Sequence, residues 1–405
     1  MGEGRFAGID WASEEHAACV VDSDGRICEG RRYRHDERGI KALCARLIEL
    51  GVLLVAVERP DGLLIDRLLD AGLHVIAVHP NQLTASRPRF TAAGGKSDSF
   101  DSFVLAELAR TDQHRLRILV PDSDQTKALR ALTRAREDLV EHRVALANAL
   151  RAQLECFWPG AVAIFAEIDS PIALAFIKRY PTPADARGLG QQRLERFLAR
   201  NHYCGRRPAR ELLARLRGAA DGRAATLESE ARRQIVLGLV AALEPLVAQI
   251  AQLTSEIRAS LHDHPDGQIF TSLFRDPKTA ICPATFIAEM GDCRPRYPTK
   301  HALAGDAGQA PVAKESGKSK RAHFRFACDH RLRDAFSTLA DTSRHHNPWA
   351  ADIYHRARAR GATHPHAIRI LGRAWASIIW RIWHDHTTYD PALHGNYQRL
   401  ITQKG

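Results

Sequence analysis

Two short, almost entirely apolar runs decide the fold of the first part of the chain: LLVAV at residues 53–57 and HVIAV at residues 74–78. Such runs are typical of parallel strands that helices cover on both faces. Further strands are predicted at Phe6–Asp10, Ala17–Asp22 and Ile27–Tyr33, and helices at Gly39–Leu50 and Leu63–Leu69. Three early strands followed by alternating helices and strands predict a mixed α/β sheet within residues 1–121.

Long helices are predicted in residues 122–265. Leucines recur at helical spacing after a cap at Asp122 or Ser123, in a helix that is expected to end at Pro159. A second stripe, from Leu239 to Leu261, steps by four and three, which is the coiled-coil pattern. Pro245 lies inside this stripe and predicts a kink or a restart of the helix, with uninterrupted pairing only after it.

Residues 266–405 form a third predicted region. A helix at Ile368–Trp383 carries Trp375, Trp380 and Trp383, which could stack on nucleic-acid bases. The isoleucines and leucine among them favour a place in a hydrophobic core instead. No element is assigned to residues 183–223, which are rich in Arg and Gly.

Composition narrows the class of partner. The 58 Lys and Arg outnumber the 47 Asp and Glu, and the net charge of +11 favours a polyanion such as nucleic acid. The eight cysteines form no CxxC pair, so neither a structural zinc site nor disulfides are expected. No uncharged apolar run is long enough to cross a bilayer, and we expect a cytoplasmic protein without a membrane partner.

Four carboxylates stand where they could form one site. Asp10 ends the first predicted strand and Glu58 ends a later one, and ligands of open α/β sheets gather at the carboxyl ends of strands. Asp98 and Asp101 lie three residues apart at the start of a helix, so both project from one face. Acids at such places also cap helices or face water, so the pattern leaves that alternative open. If the four converge, they suit Mg²⁺ or Mn²⁺ and phosphoryl transfer.

A basic segment lies between Arg294 and Arg333, with ten cations and three acids. At its centre, in KESGKSKR, Ser316 stands next to a glycine among cations that could stabilise charge on a phosphate. Ser316 is therefore a candidate nucleophile, although the same segment could simply be a flexible phosphate-binding loop. The candidate nucleic-acid-binding residues are Lys314, Gly317, Lys318, Lys320, Arg321 and Arg325.

With these motifs, the chain resembles the insertion-sequence 110 family of transposases, also known as DEDD transposases or bridge-RNA-guided recombinases. The resemblance spans nearly the whole chain. It is carried by GIDW with Asp10, AVERP with Glu58, VHPNQ at 78–82, GKSDSFD with Asp98 and Asp101, and LAGDAGQAPVAKESGKSKR.

The resemblance implies a RuvC-like domain of RNase H type, a helical coiled-coil insertion and a mainly helical C-terminal transposase domain. It implies that Asp10, Glu58, Asp98 and Asp101 bind Mg²⁺ and that Ser316 forms a phosphoserine bond with DNA. It also implies a structured bridge RNA that pairs with donor and target DNA, and a homodimer that assembles into a tetramer. The stripe from Leu239 to Leu261 is then a candidate contact between chains.

Two departures from the family pattern stand in the sequence. The family's glycine-rich segment at the start of the C-terminal domain reads SLFRDPKTAICPATFIAEMGD here, which puts DNA contact by that segment in doubt. Ser102 follows the second acid of the DxxD pair, where the family has alanine. Two other functions also fit the residues: a metal-dependent hydrolytic nuclease of junction-resolvase type, and a nucleic-acid-binding protein without catalysis.

Overall fold

The chain folds into two units, Met1–Asp122 and Ser123–Gly405. The structure is a computed structural model that describes residues 4–58, 60–91, 96–222, 225–276, 279–316 and 319–402. The first unit is built on a five-stranded sheet, and the second consists mainly of helices with one two-stranded hairpin.

The first unit confirms the mixed α/β prediction. Its elements are β1 (Arg5–Asp10), β2 (Glu15–Val21), β3 (Ile27–Arg34), α1 (Glu37–Glu49), β4 (Val52–Val57), α2 (Leu63–Asp70), β5 (Val75–Ala77), α3 (Pro80–Ser86) and α4 (Asp98–Thr111). The strands lie in the order β3-β2-β1-β4-β5. The first three are antiparallel neighbours, whereas β4 and β5 run parallel to β1, as the two apolar runs predicted.

Helices cover both faces of this sheet. On one face, the apolar side of α1, with Ile40 and Leu43, packs with α2 on residues such as Ile9 and Val57. On the other face, α4 buries Leu105 and its neighbours against the sheet. The two apolar layers explain why the last four residues of β4, Leu54 to Val57, are all buried and show no polar alternation.

The second unit contains the remaining elements. These are α5 (Asp124–Phe157), α6 (Pro159–Ile164), α7 (Pro171–Arg179), α8 (Gln191–Arg200), α9 (Ala209–Gly218), α10 (Thr226–Asp263), α11 (Gly267–Thr271), α12 (Ile281–Met290), α13 (Lys300–Asp306), β6 (Val312–Ser316), β7 (Ser319–His323), α14 (His330–Ser343), α15 (Pro348–Ala359), α16 (His364–His384) and α17 (Gly395–Thr402). The segment 183–223, which had no assignment from sequence, contains α8 and α9.

The two long helices α5 and α10 lie antiparallel within the chain. Arg136 of α5 donates to Thr254 of α10 at 2.7 Å, and nearer the other end Arg232 of α10 donates to Gln153 at 3.1 Å. The predicted leucine stripe is therefore largely buried against a helix of the same chain. This corrects its assignment as a candidate contact between chains.

The predicted restart at Pro245 is wrong, because α10 runs through this proline as one helix. Pro245 is exposed, while Leu243 before it and Ile250 after it are buried. Burial on both sides offsets the loss of the backbone hydrogen bond that proline removes, a cost of about 3 kcal/mol.

By length and composition α10 also contains a stretch long and apolar enough to span a membrane, in which Glu244 is paired with Lys178 at 2.7 Å.

The tryptophans of α16 divide between core and partial burial. Trp375 and Trp383 are fully enclosed, and Trp375 donates to Ser343 at 2.9 Å. Trp380 is half-buried and donates to the carbonyl of Tyr297 at 2.6 Å. The core interpretation is confirmed for Trp375 and Trp383.

Candidate active site

A close approach between α4 and β1 places the acids together. A Cβ atom added to Gly8 would lie 2.1 Å from the carbonyl oxygen of Ser102 and 2.3 Å from the amide nitrogen of Ala106. Because both are backbone atoms, only glycine allows the helix to lie this near the strand. Ser102 is buried and its hydroxyl donates to the carbonyl of Ser99, so the serine in place of alanine is accommodated.

Asp10 and Glu58 lie at the carboxyl ends of neighbouring parallel strands. Asp10 is the last residue of β1, and Glu58 directly follows β4. The register pairs Ile9 with Val57, so the two acids come next to each other at one edge of the sheet. Both are half-buried, which leaves them reachable by a ligand.

Asp98 and Asp101 occupy the first turn of α4, whose N-cap is Ser97. Asp98 is exposed and pairs with Arg32 of β3 at 3.2 Å. Asp101 is only 2% exposed. The helix thus presents one acid to solvent and one to the interior, rather than two equivalent acids.

The negative charges of the other three acids all act on Asp10. Burial, the largest cause, and the charges of Asp101, Asp98 and Glu58 together raise the pKa of Asp10 to about 6, against the opposing charge of Lys96. A carboxyl whose ionisation is resisted by three neighbouring carboxylates stands in a region of concentrated negative charge. The four predicted acids are therefore brought together in one cluster, which we call the carboxylate cluster.

Arg87 is the counter-charge of this cluster. Its guanidinium donates to both oxygens of Asp101, from Nε at 2.6 Å and from a terminal nitrogen at 2.9 Å. Asp101, Glu58 and Asp10 raise the pKa of Arg87, with the hydrogen-bonded Asp101 contributing most. Sequence analysis did not single out this arginine. It stands fourteen residues before its partner, and no local pattern indicates such a contact.

The donor set of the cluster suits a hard divalent cation. Carboxylate oxygens are the ligands that Mg²⁺ and Mn²⁺ prefer, and concentrated negative charge is what such an ion relieves. Within the described residues, however, no three side chains are already arranged around one ion position. Asp101 can offer an oxygen only when Arg87 releases it, so the residue types fit the ion while their present arrangement is that of an ion pair.

The candidate nucleophile lies in the second unit, on the hairpin β6-β7. Ser316 is exposed and is the last residue of β6, paired with Ser319. Gly317 and Lys318, between the strands, lie outside the described residues. The backbones of Lys314 and Lys320 belong to the hairpin, but their side chains are outside the described set.

Two further predicted basic residues follow on this hairpin and after it. Arg321 is exposed on β7, where its backbone pairs with that of Lys314. Arg325 lies just beyond β7 and donates to the carbonyl of Ala310 at 3.1 Å. The hairpin therefore holds Ser316 at its far end, with the exposed Arg321 on the paired strand.

Comparison with known proteins adds two family matches. Residues 7–159, which include all four acids, match the DEDD model named for IS110, described as "Transposase". Residues 279–355, which include Ser316, match a second model described as "Transposase IS116/IS110/IS902 family".

Curated relatives cover almost the full length. "Mini-circle putative transposase for IS117" of Streptomyces coelicolor is 31% identical over 386 residues, which is 90% of each chain. "Insertion element IS110 uncharacterized 43.6 kDa protein" of the same species is 27% identical over 96% of both chains. "Insertion element IS900 uncharacterized 42 kDa protein" of Mycobacterium paratuberculosis is 26% identical over 97% of this chain and 98% of its own.

Proposed function

Because this chain belongs to the IS110 family of transposases, we propose that it moves an insertion sequence by cutting and rejoining DNA through a serine–phosphate bond. Asp10, Glu58, Asp98 and Asp101 hold Mg²⁺ or Mn²⁺, and Ser316 is the nucleophile. The observation that carries the proposal is the convergence of charge on Asp10, since three other carboxylates resist its ionisation.

The four acids act on the phosphate through the ion that they hold. When bound, Mg²⁺ supplies positive charge at the phosphate that reacts. Asp10 and Glu58 are half-buried at the strand ends and can face a ligand, whereas Asp101 needs Arg87 to withdraw from at least one oxygen. Arg87 thereby neutralises Asp101 until the ion arrives.

Ser316 performs the covalent step. Its hydroxyl passes a proton to a general base while its oxygen forms a bond to phosphorus. The bond from phosphorus to the leaving deoxyribose oxygen breaks, and that oxygen gains a proton. A hydroxyl of a second DNA strand then attacks the same phosphorus and releases Ser316, so the number of phosphodiester bonds is unchanged and no external energy source is consumed.

We further propose that a structured bridge RNA pairs with donor and target DNA. A net charge of +11 supports binding of more than one nucleic-acid strand, and base pairing by RNA leaves the protein to contact backbone and shape. A homodimer that assembles into a tetramer, action in the cytoplasm at the nucleoid, and domains at 1–121, 122–265 and 266–405 complete this proposal.

The covalent bond gives the test. The protein is purified with its RNA, end-labelled DNA carrying the insertion-sequence ends is added with Mg²⁺, and denaturing gels are searched for a protein–DNA adduct. Wild type is expected to form the adduct and Ser316→Ala to lose it. Ser319→Ala is the matched control, because it replaces the serine paired with Ser316 on the same hairpin and should keep the adduct.

Other results would assign the chain to another function. DNA that is cut by both wild type and Ser316→Ala without an adduct would indicate a metal-dependent hydrolytic nuclease of junction-resolvase type, with Ser316 only a phosphate contact. Binding of DNA or RNA without cutting, unaffected by Mg²⁺ and by Asp10→Asn, would indicate a nucleic-acid-binding protein without catalysis. An RNA-free preparation that still joins DNA would remove the bridge RNA from the proposal.

A further inference from the structure

Two guanidinium groups share one aromatic ring where the hairpin joins the rest of the second unit. The guanidinium carbon of Arg333, on α14, lies 4.8 Å from the ring centre of Phe324, and that of Arg369, on α16, lies 4.7 Å from it. A ring face attracts one cation, but two cations at one ring also repel each other. Burial and the charge of Arg333 lower the pKa of Arg369.

The described carboxylates do not pair with these arginines. Among the described residues, neither Arg333 nor Arg369 has an acidic side chain within ion-pair distance, and Arg325 has none either. Arg333 donates instead to the carbonyls of Arg325 at 2.8 Å and Phe326 at 3.3 Å and to the sulfur of Cys328, and one of its terminal nitrogens lies 3.3 Å from Nδ1 of His330. Its buried Nε has no hydrogen-bond partner among the described residues. Partly buried cations without a counter-charge cost free energy, so their arrangement calls for an anion.

An exposed aromatic ring stands next to these cations. Phe326 is 75% exposed and meets the ring of Phe324 edge-on, with centres 4.8 Å apart. An exposed phenylalanine offers a face on which an unpaired base can stack. We call Phe324, Arg325, Phe326, Arg333 and Arg369 the hairpin-base patch.

The place of this patch along the hairpin relates it to Ser316. His323 ends β7 and pairs with Val312, which is four residues before Ser316. At about 3.4 Å per residue, Ser316 lies roughly 14 Å along the hairpin from that pair. A strand that reaches Ser316 can therefore extend over the patch a few nucleotides away.

We propose that the hairpin-base patch binds one nucleotide of the DNA strand on which Ser316 acts, with the phosphate at Arg333 and Arg369 and the unpaired base on Phe326. This inference rests on the proposed function for its choice of DNA. The bound phosphate supplies a counter-charge that the described residues do not provide. Phe326 selects a base that has left the duplex, because stacked neighbours cover both faces of a base inside a duplex.

Equilibrium binding by the full-length protein tests the patch. All variants are made in a Ser316→Ala background, so that no covalent step occurs, and fluorescence anisotropy follows labelled single-stranded DNA over a range of salt concentration. Arg369→Gln is expected to weaken binding about five- to ten-fold and to reduce the salt slope by about one phosphate contact. Phe326→Leu is expected to weaken it on the order of ten-fold without changing the slope.

Arg373→Gln is the matched control, since Arg373 is exposed one turn further along α16 and lies outside the patch. It should change binding less than two-fold. The melting temperature of the free protein should stay the same or rise in Arg369→Gln, because a repulsion is removed. A lower melting temperature with unchanged DNA affinity would overturn the proposal and make the patch a structural contact.

Two further arms identify the ligand and separate this inference from the proposed function. If Arg369→Gln and Phe326→Leu weakened binding of single-stranded RNA but not of DNA, the proposed DNA site would be wrong. If Arg369→Gln and Arg373→Gln weakened DNA binding equally, binding would depend on overall positive charge and not on the patch. That result would also overturn the proposal. If no Ser316-dependent adduct formed but Arg369→Gln and Phe326→Leu still weakened DNA binding, Ser316 would be refuted as the nucleophile. The DNA site at the patch would remain.

Discussion

The carboxylate cluster and the hairpin β6-β7 are built in opposite ways. The cluster is negative and partly buried, and it is fixed by a helix that touches a strand at Gly8. The hairpin is positive, and its described side chains Ser316 and Arg321 are exposed. Packing determines the first, whereas backbone pairing between two five-residue strands defines the second.

The two regions also differ in the counter-charge that each must bind before it can act. The cluster already holds one cation, Arg87, which pairs with Asp101, so part of its negative charge is balanced without a ligand. Among the described residues no acid pairs with Arg333 or Arg369 of the hairpin-base patch, so we expect a bound anion to balance their charge. A mutation in the cluster should therefore alter folding as well as function, whereas one in the hairpin should alter binding alone.

Replacing Gly8 should have the largest effect. In Gly8→Ala the new methyl group would collide with the backbone of Ser102 and Ala106, so α4 must move away from β1. Overpacking of this kind costs about 3 kcal/mol. We expect the first unit to unfold at a lower urea concentration, as measured by circular dichroism. Strand transfer should be lost in the same variant.

Gly30→Ala is the control for Gly8, because Gly30 lies in β3 of the same sheet and an added Cβ would meet nothing within 4 Å. It should leave both stability and strand transfer near the wild-type values. If Gly8→Ala were equally harmless, contact between helix and strand would not be what positions the acids.

Loss of Arg87 should come next. In Arg87→Gln the buried carboxylate of Asp101 loses its ion pair, at a cost of about 2–3 kcal/mol in the metal-free protein. Mg²⁺ would then replace the missing charge. Thermal denaturation with and without Mg²⁺ should show a larger stabilisation by the ion in this variant than in wild type.

Arg89→Gln provides the comparison, since Arg89 is exposed and its nearest acid, Asp112, is 3.9 Å away. Its response to Mg²⁺ should match that of wild type. Should Arg87→Gln gain no more from Mg²⁺ than Arg89→Gln does, Asp101 would not belong to the metal site.

The sequence predicted the elements of the first unit well because its signals are local. Short apolar runs gave β4 and β5, and strand ends gave Asp10 and Glu58, without knowledge of what packs on them. Arg87 could not be found in this way, since its partner is fourteen residues away and only the fold brings them together. The long helix pair was misjudged for the same reason: a leucine stripe shows that α10 is covered but not which chain covers it.

The pH dependence of stability tests the raised pKa of Asp10. Its pKa is about 6 in the folded protein against an ordinary 3.8, so the folded state takes up a proton first as the pH falls. Without metal, this group should therefore make the first unit more stable at pH 5 than at pH 7.5. After allowance for its partial exposure we expect about 1 kcal/mol.

Comparison with Asp10→Asn isolates this effect. Burial and His35 lower the pKa of His16 to about 4, which opposes the gain, but His16 is present in both proteins. The difference in unfolding free energy between the two should shrink as the pH falls from 7.5 to 5. A difference that does not change with pH would mean that neither burial nor the other carboxylates raise the pKa of Asp10.

Arg321 should give the smallest effect, and it tests whether the hairpin binds through charge alone. Arg321→Gln removes one exposed cation from β7, so DNA binding should weaken about two- to five-fold, equally for different sequences, and the salt slope should decrease by about one. The melting temperature should not change, because this side chain has no described ion pair. Arg38→Gln, an exposed arginine of α1, controls for net charge and should leave the slope nearly unaltered. A loss confined to one DNA sequence would show that Arg321 reads bases, and the contrast between a packed acidic site and a hairpin that contacts only backbone would then have to be abandoned.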